Sequence, residues 1–232
     1  MIRELAYHAT DLGPLMLRVR PEPLIGGSDV FEVKLGEEFL MSSLFTAGEE
    51  ALADLGLSGL QGKLDVVVGG LGLGYTAARA LENRNVASLL VIEAFGEVIG
   101  WHMEKLVPAG EKLTGDPRCR FLEGDFFRLA KTGFDPSDPL RKFDAVLLDI
   151  DHTPDHHLDR NNAGFYTSAG LEKLKSRIKP GGRFAMWSND ESDDDFVNLL
   201  KTVFGIAEGH NVKFANPYTN ELAVNSVYVA TV

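Results

Sequence analysis

Short apolar runs recur along residues 64–188, and segments with helical character lie between them. Runs without polar alternation are typical of parallel strands that are buried on both faces of a sheet. We predict strands at residues 64–68, 88–93, 118–122, 143–149 and 183–188. We predict helices at residues 75–82, 96–105, 165–178 and 193–204. This alternation predicts an α/β fold built on a doubly wound, mostly parallel sheet.

The two ends of the chain follow a different pattern. Residues 15–20 and 30–35 are strand-like, two prolines and a Gly-Gly pair between them favour turns, and residues 46–55 predict a helix. The tail at residues 211–214 and 224–232 predicts a closing antiparallel hairpin. The resulting division is a small β-rich N-terminal extension with a linking helix, residues 1–60, and a Rossmann-like domain, residues 61–232.

Composition narrows the class of protein. The net charge of −11 argues against nucleic acid as a partner, because phosphate-binding surfaces are normally basic. That charge is compatible with a cationic substrate such as a polyamine, although solubility is the favoured explanation for the charge taken alone. No apolar run has the roughly 18 residues of a membrane span, and the N-terminus lacks a signal-peptide pattern. With Cys119 as its one cysteine, the chain has no internal disulfide, and we expect a cytoplasmic protein.

A glycine-rich turn follows the first central strand. Gly70, Gly72 and Gly74 precede a predicted helix, and Glu93 ends the next strand about 20 residues further on. Glycines let the backbone approach a ligand, and the helix start offers unpaired N–H groups. The alternative is a tight turn without a ligand. This context predicts a nucleotide-like cofactor and is compatible with a dinucleotide as well as with a methionine-containing cofactor.

Candidate pocket residues also follow or end the third and fifth predicted strands. Asp125 and Phe126 follow the third strand, where an acid can accept a hydrogen bond from an adenine amino group. Asp125 is equally suited to cap a helix N-terminus, and both roles are compatible. Trp187, at the end of the fifth strand, either lines the pocket or belongs to the core.

The loop after the fourth strand, residues 149–159, contains four Asp and three His. Ligands of open α/β sheets bind outside the carboxyl ends of the strands, so this loop is a candidate catalytic segment. Asp149, Asp151 and His152 are our candidates for orienting an amine or accepting its proton. A divalent metal is a third use, although no fixed ligand spacing identifies one. His156 and His157 fit a solvated loop.

Together these motifs resemble the spermidine synthase-like branch of the class I S-adenosylmethionine-dependent methyltransferase superfamily. The resemblance covers most of the chain, from about residue 24 to the C-terminus. The matching elements are the N-terminal β extension, the glycine loop, Glu93, the Gly124-Asp125 pair, residues 143–149, the turn at residues 179–183 and the tail at residues 227–230. The resemblance implies that the glycine loop passes the methionine part of the cofactor, that Glu93 binds the ribose and that Asp125 binds the adenine. It also suggests a homodimer.

The chain departs from authentic aminopropyltransferases at two acids. Leu73 occupies the position of the Asp in their glycine loop, and His152 occupies that of the last Asp in their Asp-Ser-Ser-Asp segment. We therefore expect an S-adenosylmethionine-dependent, methyltransferase-like transferase that acts on a small molecule, with an amine as one option. The alternative is aminopropyl transfer from decarboxylated S-adenosylmethionine. Further alternatives are an NAD(P)-dependent oxidoreductase and a non-catalytic homologue.

Overall fold

The computed structural model describes residues 1–150, 152–156 and 158–232. The strands are β1 Arg3–Thr10, β2 Gly13–Glu22, β3 Ser28–Leu35, β4 Glu38–Ser42, β5 Leu64–Gly69, β6 Val86–Glu93, β7 Cys119–Glu123, β8 Phe143–Leu148, β9 Ile178–Ser188, β10 Ile206–Asn216 and β11 Glu221–Thr231. The helices are α1 Ala47–Leu57, α2 Tyr75–Ala80, α3 Gly96–Met103, α4 Gly110–Gly115, α5 Phe126–Thr132, α6 Ser168–Lys175 and α7 Asp194–Phe204. Within the described ranges, no helix is long and apolar enough to cross a membrane.

The central sheet has seven strands in the order β10-β11-β9-β8-β5-β6-β7. Strands β5 to β9 are parallel, while β11 is antiparallel to β9 and β10 is antiparallel to β11. The predicted α/β class, with its doubly wound sheet and closing hairpin, is confirmed. Both faces of the sheet are covered, which explains the apolar runs: Val66 and Val68 belong to one core cluster and Val67 to the other.

The N-terminal residues form a separate four-stranded antiparallel sheet in the order β1-β2-β3-β4. Its buried residues, among them Leu15, Leu17 and Val33, join the core cluster that also contains residues of α1 to α4. The sheet therefore packs on one side of the central sheet and brings β4 close to the glycine loop. Helix α1, predicted as the linking helix, packs against β8, β9 and β11. The division at residue 60 stays a prediction.

Several elements differ from the sequence-based expectation. The helix predicted at residues 165–178 is shorter, since α6 covers Ser168–Lys175 and follows a 3₁₀ turn at Arg160–Gly164. The Lys-Pro-Gly-Gly segment was expected to be the turn that ends this helix, but it lies within β9. The register with β8 is interrupted there, and the segment bonds to Val232 instead: the Gly181 amide donates to the Val232 carbonyl at 2.7 Å, and the Gly182 carbonyl accepts from the Val232 amide at 3.0 Å.

The hairpin β10–β11 extends beyond the end of β9 and meets the N-terminal sheet. Strand β9 ends opposite Ser226, so the hairpin residues from Val212 to Asn225 overhang the carboxyl edge of the sheet. Near the hairpin turn, the Tyr218 hydroxyl donates to the Glu22 carboxylate at 2.5 Å and accepts from the Arg20 guanidinium at 2.6 Å. The N-terminal sheet and the hairpin are thereby joined above the carboxyl ends of the parallel strands.

Candidate active site

A cavity of about 1110 Å³ opens at the carboxyl ends of the parallel strands. Gly70, Glu93, Asp125 and Asp149, which end or follow four neighbouring strands, all line it. Its outer walls come from β4 and from the hairpin β10–β11. Small-molecule sites usually enclose about 300–1000 Å³. This cavity therefore has room for an adenosyl group and a second small molecule.

The glycine loop forms one wall of the cavity. Gly70 and Gly72 line it and have φ angles of 92° and 46°, in the left-handed region that favours glycine. A Cβ atom on Gly70 would overlap the carbonyl oxygen of Asp149, and one on Gly72 would overlap the thioether of Met41 in β4. The loop is thus held between β8 and β4, and glycine is required by both space and conformation.

Gly74 has a different role from the two other glycines. Its φ angle is 89°, and it packs against His102, Ala109 and Leu113, away from the residues that line the cavity. The His102 ring is fully buried, and its Nε2 lies 2.8 Å from the carbonyl oxygen of Gly72. Burial lowers the pKa of His102, so the neutral ring donates through Nε2 to this carbonyl. Sequence analysis missed this contact, because a histidine inside a helix gives no sign of its neighbours.

Glu93 ends β6 beneath the glycine loop and is buried. One carboxylate oxygen accepts from the Leu71 amide at 2.9 Å and the other from the Phe95 amide at 3.0 Å. Burial raises the pKa of Glu93, and the backbone hydrogen bonds oppose that rise. Each oxygen has a second lone pair. Glu93 can therefore fix the loop and still accept hydrogen bonds from a ribose.

The two residues predicted after the third strand lie at the start of α5. Asp125 caps this helix, because its carboxylate accepts from the amides of Phe127 at 2.8 Å and Arg128 at 3.2 Å. Phe126 is buried and packs against three other aromatic rings. Both residues also line the cavity. The capping role of Asp125 is confirmed, while adenine contacts of Asp125 and Phe126 stay a prediction.

Asp149 follows β8 and lies between the glycine loop and helix α2. Its carboxylate accepts from the Thr76 hydroxyl at 2.7 Å, and its amide donates to the carbonyl of Gly69 at 2.8 Å. Burial raises the pKa of Asp149, and the hydrogen bond from Thr76 lowers it. A carboxyl group with a raised pKa is suited to accept and release protons near neutral pH.

The other two catalytic candidates follow Asp149 in the chain. Asp151 lies outside the described residues. His152 lines the cavity, and its carbonyl oxygen accepts from the Asn189 amide at 2.7 Å. The His152 ring lies 5.0 Å from that of the exposed His156. Over the described residues, no three His, Cys, Asp or Glu side chains are grouped as metal ligands.

Sequence analysis missed Glu49, which is in the first turn of α1 and lines the same cavity. Its backbone carbonyl lies 3.3 Å from the Thr76 hydroxyl that also binds Asp149. Burial raises the pKa of Glu49, and the negative charge of Asp149 adds to this rise. Glu49 and Asp149 therefore form an acidic pair at the part of the cavity next to Gly70 and Gly72, which we call the acidic end.

A second part of the cavity, the hairpin chamber, is lined by Phe45, Trp187, Asn189, Phe214 and Asn225. Asn225 is buried, and its amide nitrogen donates to the Asn189 carbonyl at 3.1 Å. A Cβ atom on Gly48 would overlap the Trp187 indole and crowd the Asn225 amide. Since Glu49 follows Gly48, the acidic end and the hairpin chamber adjoin each other.

The third part, the α5 end, is lined by Asp125, Phe126 and Arg128. The loop residues Asp159 and Asn161 also line the cavity, and Phe165, just after them, stacks edge-on against Phe127 at 5.2 Å. This contact places the loop near α5. Among the described residues that line the cavity, the lysine and arginine side chains, Lys131 and Arg128, both belong to α5.

No family model matches the sequence. Solved structures do match. The spermidine synthase from Thermotoga maritima is 17% identical with a TM-score of 0.73, and the alignment covers 99% of this chain and 72% of that one. This chain has a spermidine synthase-like fold. A spermidine synthase in complex with the transition state analogue AdoDATO matches at 17% identity and a TM-score of 0.74, over 99% and 73% of the two chains. A probable spermidine synthase from Corynebacterium glutamicum ATCC 13032 matches at 14% identity with a TM-score of 0.67, and the alignment covers 97% of this chain and 79% of that one.

Proposed function

We propose that this protein is an aminopropyltransferase that uses decarboxylated S-adenosylmethionine as its donor and a small amine as its acceptor. The sequence favours a methyltransferase-like reaction and keeps aminopropyl transfer as the alternative. Two findings favour aminopropyl transfer over methyl transfer. The structural neighbours include spermidine synthases, and one of them is in complex with the analogue AdoDATO. The second finding, the charge of the acidic end, carries the proposal.

The residues at the cavity suit an adenosyl donor. Gly70 and Gly72 line the cavity with backbone that a ligand can approach closely, and Glu93 below them has lone pairs for ribose hydroxyls. Asp125 and Phe126 line the α5 end of the cavity, where the adenine ring would lie. In this orientation the amino-acid tail of the donor points along the glycine loop toward the acidic end.

The acidic end distinguishes between the two donors. The tail of S-adenosylmethionine carries an ammonium and a carboxylate, whereas the decarboxylated tail carries the ammonium alone. Glu49 and Asp149 line this end, and the lysine and arginine of the described cavity lining lie on α5. In its ionised form the pair would repel a donor carboxylate, because like charges at short distance repel and no lysine or arginine of the described lining lies beside the pair. A donor that ends in an ammonium would be attracted.

Glu49 also accounts for the loss of the acid in the glycine loop. Leu73 is buried in the core and does not line the cavity, so its position supplies no charge there. Glu49 supplies a carboxylate from a different element, the first turn of α1. We infer that Glu49 takes the place of the acid that aminopropyltransferases carry in the glycine loop.

The protein residues then have defined tasks. The bound donor supplies a sulfonium that is already a good leaving group, so the protein mainly aligns the reactants and excludes water. Asp149 accepts the proton that the attacking amine loses, because its carboxyl group lies in the cavity and has a raised pKa. Thr76 holds the Asp149 carboxylate in place through its hydroxyl.

Mass spectrometry of the products tests this function. The purified protein is incubated with an amine mixture and either donor. Aminopropyl transfer releases 5′-methylthioadenosine from the decarboxylated donor, and methyl transfer releases S-adenosylhomocysteine from S-adenosylmethionine. We expect the first product, and its loss in Asp149→Asn. Release of S-adenosylhomocysteine alone would support methyl transfer, and no product from either donor would support a non-catalytic or nicotinamide-binding protein.

A further inference from the structure

We propose that the acceptor is a monoamine whose remainder is an uncharged, aromatic or aliphatic group. The reacting nitrogen lies beside Asp149, with the donor ammonium beside Glu49, and the uncharged group occupies the hairpin chamber. This inference rests on the proposed function and adds the chemical class of the acceptor. It follows from the distribution of carboxylates and aromatic rings around the cavity.

The end that receives the nitrogen is the acidic pair. Thr76 connects its two members, since the hydroxyl donates to Asp149 and lies 3.3 Å from the backbone carbonyl of Glu49. The donor ammonium and the acceptor nitrogen both have to be placed here, and the pair supplies one carboxylate for each. The acidic end thus accommodates one acceptor nitrogen and leaves no further carboxylate of the pair for a second cation.

The hairpin chamber offers a different chemistry. The rings of Phe45 and Phe214 are in contact, with centroids 5.7 Å apart and planes tilted by 49°, and Trp187 packs against Gly48. Asn225 and Asn189 add neutral amide groups. Aromatic walls with a few neutral polar groups are typical of sites for uncharged organic groups. They would leave a distal ammonium without a carboxylate partner, and burying an unpaired charge is costly.

The remaining acids of the described cavity lining lie elsewhere and already have partners. Glu93 accepts from two backbone amides at the glycine loop, and Asp125 accepts from two amides at the start of α5. Asp159 accepts from the backbone and side-chain amides of Asn161 in the loop near α5. None of these three is in the hairpin chamber. A diamine that reacts at Asp149 therefore finds no carboxylate for its second ammonium among the described chamber residues.

The reaction of a monoamine balances without another reactant. The lone pair of the neutral nitrogen forms the new N–C bond to the carbon of the donor's aminopropyl chain that is attached to sulfur. The C–S bond breaks and its electron pair stays on sulfur, which leaves as the thioether of 5′-methylthioadenosine. The secondary ammonium product passes one proton to the Asp149 carboxylate.

An acceptor panel tests the inference. Release of 5′-methylthioadenosine is measured with 1-aminobutane, 3-phenylpropylamine and 1,4-diaminobutane at the same donor concentration. We expect kcat/KM for the two monoamines to exceed that for the diamine by about tenfold or more. A preference for the diamine would overturn the acceptor class while it supports aminopropyl transfer. No product with any amine would overturn the proposed function and this inference with it.

Two variants link the result to the chamber. Gly48→Ala places a methyl group where Trp187 and Asn225 lie, so these side chains must shift. We expect KM for 3-phenylpropylamine to rise about tenfold with unchanged donor affinity. Gly100→Ala, in a helix where a methyl group meets nothing, is the control. Trp187→Ala enlarges the chamber and should favour bulkier monoamines. If neither Gly48→Ala nor Trp187→Ala changes the ranking of the amines by kcat/KM, then the acceptor does not bind in the hairpin chamber.

Discussion

The Thr76 hydroxyl donates a hydrogen bond of 2.7 Å to the carboxylate of Asp149, although the two residues are 73 positions apart. Thr76 is in the first turn of α2, directly after the glycine loop, and Asp149 follows β8. The contact joins the loop that would hold the donor to the carboxylate that would accept the proton. It also stabilises the charged form of Asp149 against the effect of burial.

Thr76→Val tests this hydrogen bond. Valine keeps the shape and removes the donor, so the pKa of Asp149 should rise further. We expect the acidic limb of the pH profile of kcat to move upward by about 1 pH unit. Thr76→Ser retains the hydroxyl and should keep the wild-type profile. Identical profiles for the Val and Ser variants would show that the hydrogen bond does not control Asp149.

The acidic pair predicts a pH dependence of stability. The folded pKa of Glu49 is raised, so its contribution is fully present below its unfolded pKa and is lost as the pH rises through the folded value. The free energy of unfolding should therefore fall between about pH 5 and about pH 8.5, and Glu49→Gln should be more stable than wild type by about 1 kcal/mol at the upper pH.

Urea denaturation at the two pH values measures this difference. Glu50→Gln is the matched control, because Glu50 is the next residue and accepts from the Thr46 hydroxyl at the start of α1. We expect the control to follow the wild-type dependence on pH. If Glu49→Gln loses stability at the upper pH, then the pair does not repel in the folded protein and the account of the acidic end is wrong.

Gly70→Ala tests the fit of the glycine loop. The φ angle of 92° is strained for alanine, and its Cβ would overlap a backbone oxygen, which cannot move as a flexible side chain can. We expect a loss of roughly 2 kcal/mol in the free energy of unfolding. Gly115→Ala, at a helical glycine with open space, should be near neutral. Equal stability of the two variants in thermal denaturation would contradict the close approach of the loop to Asp149.

Glu93→Gln tests the double role of Glu93. Glutamine has one acceptor oxygen, so the Leu71 amide or the Phe95 amide loses its partner. We expect the free energy of unfolding to fall by about 1–3 kcal/mol and donor affinity to fall about tenfold. Glu123→Gln changes the residue paired with Glu93 on β7, at the same edge of the sheet, and serves as the control. Unchanged donor affinity in calorimetry would exclude Glu93 from the ribose site.

The central sheet and much of the site could be predicted because their signals are local. The apolar run that ends in Gly70 and the acid that ends β6 each lie within a few residues of the element that places them. The edge strands β1 and β4 were missed, because β1 is partly exposed and lacks an apolar run, and β4 has only five residues. The helix α5 was missed because it has seven residues and its clear signal is the cap Asp125.

Glu49 could not be identified as a site residue from the sequence. An acid in the first turn of a helix is common, because it interacts favourably with the helix dipole. Its position in the cavity depends on α1 packing against β8 and β9, and on Thr76 coming from another helix. Likewise, the contact between Gly48 and Trp187 joins residues that the chain separates widely. Contacts between residues this far apart in the sequence are visible only in the tertiary structure.

The central claim is that the acidic end selects a donor without a carboxylate. Calorimetric titration of the wild-type protein with decarboxylated S-adenosylmethionine and with S-adenosylmethionine tests it most directly. We predict that at about pH 8.5, above the raised pKa of Glu49, the decarboxylated donor binds at least about tenfold more tightly, and that Glu49→Gln narrows the difference because it removes one of the two ionised groups. Equal or tighter binding of S-adenosylmethionine to the wild-type protein would contradict the claim.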